Sequence, residues 1–254
     1  MHREELSSLL NSLLSPNLIK DYCPNGLQIE GKEKILRLVT GVTASQALID
    51  KAIELGADAI LVHHGFFWKN EDYRIVGIKK RRIGALLQHD INLFAYHLPL
   101  DVHAVHGNNA QLGKVLGLSD IQPLAHIQPN GIVMTGELTK AMTHNEFSEH
   151  LTNSLHRQCM PVARKQAIKK VAWCTGGGQS YIDEIANFAG DLGIDAFISG
   201  EISEQTTHSA RELDIDYFAA GHHATERYGV KALGEFLAQN HALDVSFVDI
   251  DNPA

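Results

Sequence analysis

One pattern occurs twice in this chain and limits its fold more than any other. Residues 35–65 run Ile35-Leu-Arg-Leu-Val-Thr-Gly41, then a helical stretch containing Ile49-Asp50, then Gly56-Ala-Asp-Ala-Ile-Leu-Val-His63-His64. Residues 168–201 run Ile168-Lys-Lys-Val-Ala-Trp-Cys-Thr-Gly176, then a helical stretch containing Ile182-Asp183, then Gly193-Ile-Asp-Ala-Phe-Ile-Ser-Gly200-Glu201. Each reads as strand, helix, strand. The likeness continues downstream, where Asp90-Ile-Asn-Leu-Phe-Ala-Tyr-His97 is echoed by Asp214-Ile-Asp-Tyr-Phe-Ala-Ala-Gly-His222 with one extra residue. Alternating strands and helices predict an α/β protein with a mainly parallel sheet in each half. The halves, roughly 1–125 and 160–254, are joined by a less similar segment.

That segment has signals of its own. Gly131-Ile-Val-Met-Thr-Gly-Glu-Leu138 reads as a strand, and Thr143-His-Asn-Glu146 is a capping box opening a helix to about Arg157. Pro123 and Pro129 mark a loop before it. We assign the segment to the second half, giving domains at 1–125 and 126–254, with the C-terminal helix and strand, about 224–249, able to pack back on the first. At the other end, Leu6, Leu9, Leu10, Leu13 and Leu14 follow Glu4 and Glu5 at helical spacing, the pattern of an amphipathic helix and not of a signal peptide.

A chain of 254 residues with 44% hydrophobic and 20% charged residues has enough apolar material for two cores. No run approaches the roughly 18 apolar residues of a membrane span. The formal net charge of −8 argues against an electrostatic grip on a phosphate backbone, so direct nucleic-acid binding is disfavoured. Lys79-Lys80-Arg81-Arg82 is a local basic run, read as a solvated helix face. Cys23, Cys159 and Cys174 are odd in number and far apart, which suggests neither a disulfide framework nor a thiolate zinc site and points to a reducing cytoplasm.

Histidine is the compositional outlier at 15 residues. Most of them, including His2, His89, His126, His144, His150, His156 and His241, lie in polar or helical stretches, where solvent exposure is the plain reading. His63 and His64 differ. They end the apolar run Ala57–Val62 just before Gly65, and buried parallel strands deliver ligands at their carboxyl ends. Adjacent side chains on an extended backbone diverge, so a local turn must splay the two imidazoles, an arrangement suited to two metal ions. After each third strand comes a histidine followed four positions later by an acid: His97 with Asp101, and His222 with Glu226. Pro99 places Asp101 on a loop at a strand end, where the simple alternative is a helix cap. His222 and Glu226 open an apolar-periodic helix (Val230, Leu233, Phe236, Leu237) and share one face of it, where the simple alternative is a surface pair.

His63, His64, Asp101, His222 and Glu226 together offer five nitrogen and oxygen donors, too many for the usual zinc site of three protein ligands and a water. A glutamate bridging two ions accounts for the count. Two ions roughly 3.5–4 Å apart polarise a substrate oxygen and lower the pKa of a bridging water. Zinc, manganese, iron and nickel all accept such ligands. Thr175-Gly-Gly-Gly178 follows a strand and precedes a helix, where backbone N–H groups could cradle an anion, although the turn lacks the P-loop lysine and a tight strand-to-helix connection is the commoner role. Glu201 and His208 follow the second buried strand as His63 and His64 follow the first. Their structural readings are a helix-start acid and a helix-surface histidine.

The set Asp21-Tyr-Cys-Pro-Asn-Gly-Leu-Gln28, His63-His64-Gly65, His97-x-x-x-Asp101, Thr175-Gly-Gly-Gly178, Ser199-Gly-Glu201 and Gly221-His-His-Ala-Thr-Glu226 resembles the dinuclear metal-centre family of GTP cyclohydrolase type 2 homologues across nearly the whole chain. The resemblance implies two interlocked, mutually similar α/β domains with the metal site between them, in a toroidal homohexamer. It implies two divalent ions on His63, His64, Asp101, His222 and a bridging Glu226, with His97 close by as a group behind the ligands or a proton shuttle. The function expected is a metal-dependent hydrolase with a metal-bridging water or hydroxide. Its substrate would be a purine nucleotide or a related small molecule, with His97 or Glu201 moving protons and Thr175, Gly176, Gly177 and Gly178 taking the phosphates. A non-catalytic, ring-shaped metal-binding scaffold is the alternative.

Overall fold

The internal echo survives in three dimensions down to individual hydrogen bonds. The computed structural model describes residues 1–162 and 167–254. In the first half the repeated stretch forms β2 (Arg37–Thr43), α2 (Gln46–Glu54), β3 (Ala59–His64), α3 (Gly77–Gln88) and β4 (Asn92–Ala95). In the second it forms β8 (Ile168–Cys174), α7 (Tyr181–Leu192), β9 (Ala196–Ser199), α8 (Glu204–Glu212) and β10 (Asp216–Ala219). Within each stretch the three strands lie side by side in parallel.

The same polar clamp locks the base of both. Asp58 accepts the Leu36 and Arg37 N–H groups on Oδ2, and Asp195 accepts those of Lys169 and Lys170. The Asp58 N–H donates to the Arg37 carbonyl as the Asp195 N–H does to Lys170, and the Asn92 N–H donates to Asp58 as Asp216 does to Asp195. Left-handed turns recur at matching places, Gly56 and Gly193 after the first helix and Asp90 and Asp214 after the second. Side-chain chemistry at these turns is thus part of the repeat.

The flanking strands distinguish the halves. The first sheet has the order β1-β4-β3-β2-β11, where β1 (Gly26–Ile29) runs antiparallel to β4 and β11 (Asp244–Phe247) runs parallel to β2. The second has the order β5-β6-β8-β9-β10-β7. Its parallel centre is extended by antiparallel strands, β5 (Ser119–Pro123) and β6 (Met134–Met142) on one side and β7 (Met160–Val162) on the other. The remaining helices are α1 (Arg3–Leu14), the short α4 (Leu98–Val102), α5 (Asn108–Val115), α6 (His144–Leu155) and α9 (His222–His241). The capping box at Thr143 is formed as the sequence predicts, with the Thr143 hydroxyl accepting from Glu146 N–H, and α6 ends two residues before Arg157.

Compactness divides the chain into one unit of Met1–Leu100 with Gly229–Asp251 and another of Asp101–Tyr228 with Asn252–Ala254. The division falls after Leu100 and not at 125, because β5 pairs with β6 and draws Asp101–Pro123 into the second unit. The Gly229–Asp251 segment joins the first unit, where β11 pairs with β2.

Each unit has its own apolar interior. In the first, one face of the sheet packs Leu38, Leu61 and Phe94 against Leu6, Leu10 and Leu14 of α1 and Val230, Leu233 and Leu237 of α9. The opposite face packs Val39, Ile60 and Leu93 against α2 and α3. In the second, Trp173, Ile198 and Phe218 meet Phe147, Leu151 and Leu155 of α6. Trp173 is fully buried and donates its indole N–H to the Asn109 carbonyl at 2.9 Å, which satisfies its polar edge. With these interiors fixed, the carboxyl ends of β3, β4, β8, β9 and β10 carry the residues singled out above.

Candidate metal centre

The first unit positions three imidazoles together. His63 ends β3 with no solvent exposure, and its Nδ1–H donates to the Tyr96 carbonyl at 3.0 Å. That bond fixes the tautomer and makes Nε2 the nitrogen able to meet a cation. His64 places Nδ1 3.2 Å from the Thr43 hydroxyl at the end of β2. The ring centroids of His63 and His64 are 4.5 Å apart, tilted by 42°. His97, just beyond β4, lies 5.0 Å from His63 and 5.7 Å from His64 between ring centroids. Together these three histidines form a cluster able to hold a metal ion.

His97 is oriented by a carboxylate. Its Nδ1 donates to Asp21 Oδ1 at 2.9 Å, and both side chains are less than a tenth exposed. Asp21 also accepts the Leu98 N–H, the Tyr22 N–H and the Asn25 amide, while Asn25 Oδ1 accepts the His97 N–H. Burial alone would push the Asp21 carboxyl up, but the hydrogen bonds from His97 and Asn25 outweigh it and hold it at about 2. Cys23 completes a second cluster with Asp21 and His97 that could hold an ion.

The loop after β3 is tied to the same place. Gln28 accepts the Phe66 N–H at 2.7 Å and donates to the carbonyls of Phe66 and Pro24. The glycine of His-His-Gly is needed here, because a Cβ on Gly65 would sit 2.3 Å from Gln28 Oε1. Beyond it, Phe67 and Asn70 adopt left-handed φ of 66° and 70°. Such a backbone costs a bulky residue about 1–3 kcal/mol and recurs at ligand clamps.

The second unit holds the other candidate donors around the Thr175-Gly176 turn. Asp101, 4% exposed, accepts on Oδ1 from the Asn108 amide at 2.9 Å and the Thr175 hydroxyl at 3.3 Å. His222 and Glu226 open α9, with His222 Nε2 3.1 Å from Glu226 Oε2. His222 Nδ1 donates to Glu201 Oε1 at 2.7 Å. Burial alone would lower the His222 imidazole, but Glu226 and Glu201 outweigh it and raise it to about 9. Gly176, at φ +61°, passes beneath this pair. An added Cβ there would lie 1.9 Å from Glu226 Oε1 and 3.1 Å from His222 Nε2, so the position is a cradle shaped for the carboxylate.

Several expected residues therefore have contacts the sequence did not disclose. The Thr175 N–H goes to Asn109 Oδ1 and the Gly176 N–H to the Thr225 hydroxyl, so the first two donors of the glycine turn are spent on the protein's own side chains. The turn also meets Asp101, Glu226 and His222. Glu201 touches His222 through Nδ1 and is steadied by Gln179 at 3.4 Å and by its own carbonyl accepting from the Tyr217 hydroxyl. His208 lies on the exposed surface of α8. Thr43, at the end of β2, and Asn108 and Thr225, in the first turns of α5 and α9, escaped sequence reading because a lone hydroxyl or amide has no periodic signature. A cavity of about 180 Å³ opens beside Asp101, lined by Val102, His103, Ile121, Asn130 and Met134 among others.

The donors fit divalent cations on structural grounds. His63 and His222 have Nδ1 committed to fixed acceptors, and an oxygen of Asp101 is anchored by two donors. Gly176 leaves room for the Glu226 carboxylate and nothing larger. This pattern of a ligand held from behind by a hydrogen-bond partner is the one metal sites use.

Comparison with known proteins finds relatives that match along the chain. The family model described as Duf34/NIF3 (NGG1p interacting factor 3) matches residues 1–253. A protein of Vibrio cholerae named GTP cyclohydrolase 1 type 2 homolog is 57% identical, with all of both chains covered. One of the same name from Escherichia coli K12 is 51% identical over the same extent. Among solved structures, the protein ybgI, described as of unknown function, superposes with a TM-score of 0.94 at 50% identity, with both chains fully covered. TTHA1606 of Thermus thermophilus does so with 0.88 at 31%, again over the whole of both chains. With residues 1–253 matched by the family model and the whole chain by relatives of more than half identity, the chain is a member of the Duf34/NIF3 family.

Proposed function

We propose that the protein is a dinuclear metal-dependent hydrolase acting on a purine nucleotide or a related small molecule, with His63, His64, Asp101, His222 and Glu226 holding the ions. The observation that carries the reading is the fixed setting of the His63 and His222 rings, each held through Nδ1 by a protein acceptor. Bound there, two divalent cations would supply Lewis acidity and a nucleophile drawn from water at neutral pH.

The chain's own residues have separable parts. Glu201 orients His222 and lends it basicity through Nδ1. Asp21 does the same for His97, which leaves His97 Nε2 to take or give a proton. Thr175 and Asn108 hold Asp101, and Gly176 admits Glu226. The cavity beside Asp101 gives a small molecule room. The expected setting is a cytoplasmic homohexameric ring, which rests on the family likeness.

Metal analysis of wild type and His63→Ala, paired with hydrolysis assays over nucleoside triphosphates and phosphoesters, tests this. Two ions per wild-type chain, loss of metal in His63→Ala and turnover of a nucleotide are expected. Fewer than one ion per chain would refute the ligand set. Two ions with no turnover of any of these substrates would refute the hydrolase and leave a metal-binding scaffold.

A further inference from the structure

Two aromatic side chains beside the histidine cluster are not explained by packing. Tyr22 is 52% exposed, and neither Tyr22 nor Trp68 belongs to either apolar core of its unit. Yet their rings gather closely: Tyr22 and Trp68 are 6.1 Å apart between centroids with a 34° tilt, and each lies 5.0 Å from His97. Trp68 is also 5.8 Å from His64.

The backbone holds them there at a cost. The left-handed residues Phe67 and Asn70 bracket the Trp68 turn, the Lys69 N–H donates to the Tyr22 carbonyl at 2.7 Å, and Gln28 grips Phe66 from both sides. Aromatic surface kept partly in water, next to strained backbone and beside metal-type donors, is the arrangement of a binding element.

We propose that Tyr22 and Trp68 form a stacking shelf for a flat, neutral heteroaromatic ring of the molecule this site takes. The inference deepens the reading of the metal centre and rests on it for the chemistry the ring is brought to. Two features favour a neutral ring over an organic cation. Stacking needs only a π-face, which any heteroaromatic ring offers. A cation cage would also want an uncommitted acid facing the rings, whereas Asp21 is enclosed and its oxygens are engaged by His97, Asn25, Leu98 and Tyr22, and Glu71 accepts the Trp68 N–H and pairs with Lys79.

The chain's two tryptophans make the test selective, since Trp173 is fully buried and Trp68 is at the site. Guanosine, ribose 5-phosphate and tetramethylammonium are titrated into the purified protein, read by intrinsic fluorescence and by calorimetry, with metal content measured on every sample. Guanosine should change the emission saturably and ribose 5-phosphate should not. Tyr22→Leu and Trp68→Leu should each weaken guanosine by about tenfold at unchanged metal content. The shelf is refuted if guanosine does not bind, if ribose 5-phosphate or tetramethylammonium binds as tightly, or if both variants bind guanosine as wild type does. Guanosine binding in a preparation that carries no metal supports the shelf while removing the metal reading, so the two fail separately.

Discussion

Substituting Gly176 with alanine separates the proposed metal centre from the fold. Gly176 sits at φ +61°, and alanine in the left-handed region costs about 1 kcal/mol relative to glycine. The new methyl would begin 1.9 Å from Glu226 Oε1, so the carboxylate must retreat by about 1.5 Å to reach van der Waals contact. The end of a glutamate can move that far cheaply. A metal ligand cannot, because sites of this kind tolerate about 0.5 Å of misplacement. The melting temperature of Gly176→Ala should therefore fall by only about 2–4 °C, the shift expected for 1 kcal/mol in a chain of this size. Metal affinity should fall by 100-fold or more, which corresponds to about 2.7 kcal/mol. Calorimetric melting in chelator gives the first quantity and competition with a chelating dye the second. Gly177→Ala is the internal control, since its Cβ would meet nothing closer than 3.8 Å. Unchanged metal affinity in Gly176→Ala would refute Glu226 as a ligand. A melting temperature lowered by more than about 10 °C would mean that the turn is a structural keystone.

Glu201→Gln keeps the shape but not the charge behind His222, and metal affinity measured by the same competition should drop about 10–100-fold with little change in melting. The Asp21 carboxyl is held at about 2 against an ordinary 3.8, which amounts to about 2 kcal/mol of stability. Because the folded value is depressed, that stability is present above pH 4 and is lost as the pH falls through 2. Urea melts between pH 6 and 3 should show wild type losing more stability than Asp21→Asn, and parallel curves would contradict the assignment. Asp58→Ala and Asp195→Ala each strip the acceptor from two backbone N–H groups at equivalent corners, so each should cost about 2 kcal/mol by denaturant midpoint. A loss at one corner but not the other would show that the repeat is superficial.

The parts of the fold visible in the chain's letters are those whose cause is local. Helices that end just before Gly56 or Gly193, with apolar strand runs that begin after Asp58 or Asp195, made the two parallel centres readable, since left-handed turns restrict which residues can occupy them. Strands β1, β7 and β11 have three or four residues each, too few for periodicity, and their partners are distant in sequence. The boundary was misplaced for the same reason: β5 has no apolar alternation, and only its pairing with β6 assigns it. Among the proposed ligands, His63, His64, Asp101, His222 and Glu226 stand out as chemistry at strand and helix ends. What holds them does not. Asp21 reaches His97 across 76 positions and Thr175 reaches Asp101 across 74, contacts that only the folded chain creates.

The split composition of the first unit bears on how the protein is made. Its edge strand β11 pairs Asp244 with Arg37, so β2 must wait for more than two hundred residues of synthesis before that neighbour exists. During translation the first unit thus has a sheet with an uncovered parallel edge, and Leu38, Leu61 and Phe94 lack the α9 leucines that cover them. Bare edges and exposed apolar faces are where nascent chains aggregate. The amino-terminal unit should therefore mature only once α9 and β11 are synthesised, and chains stopped before them should depend on chaperones for solubility.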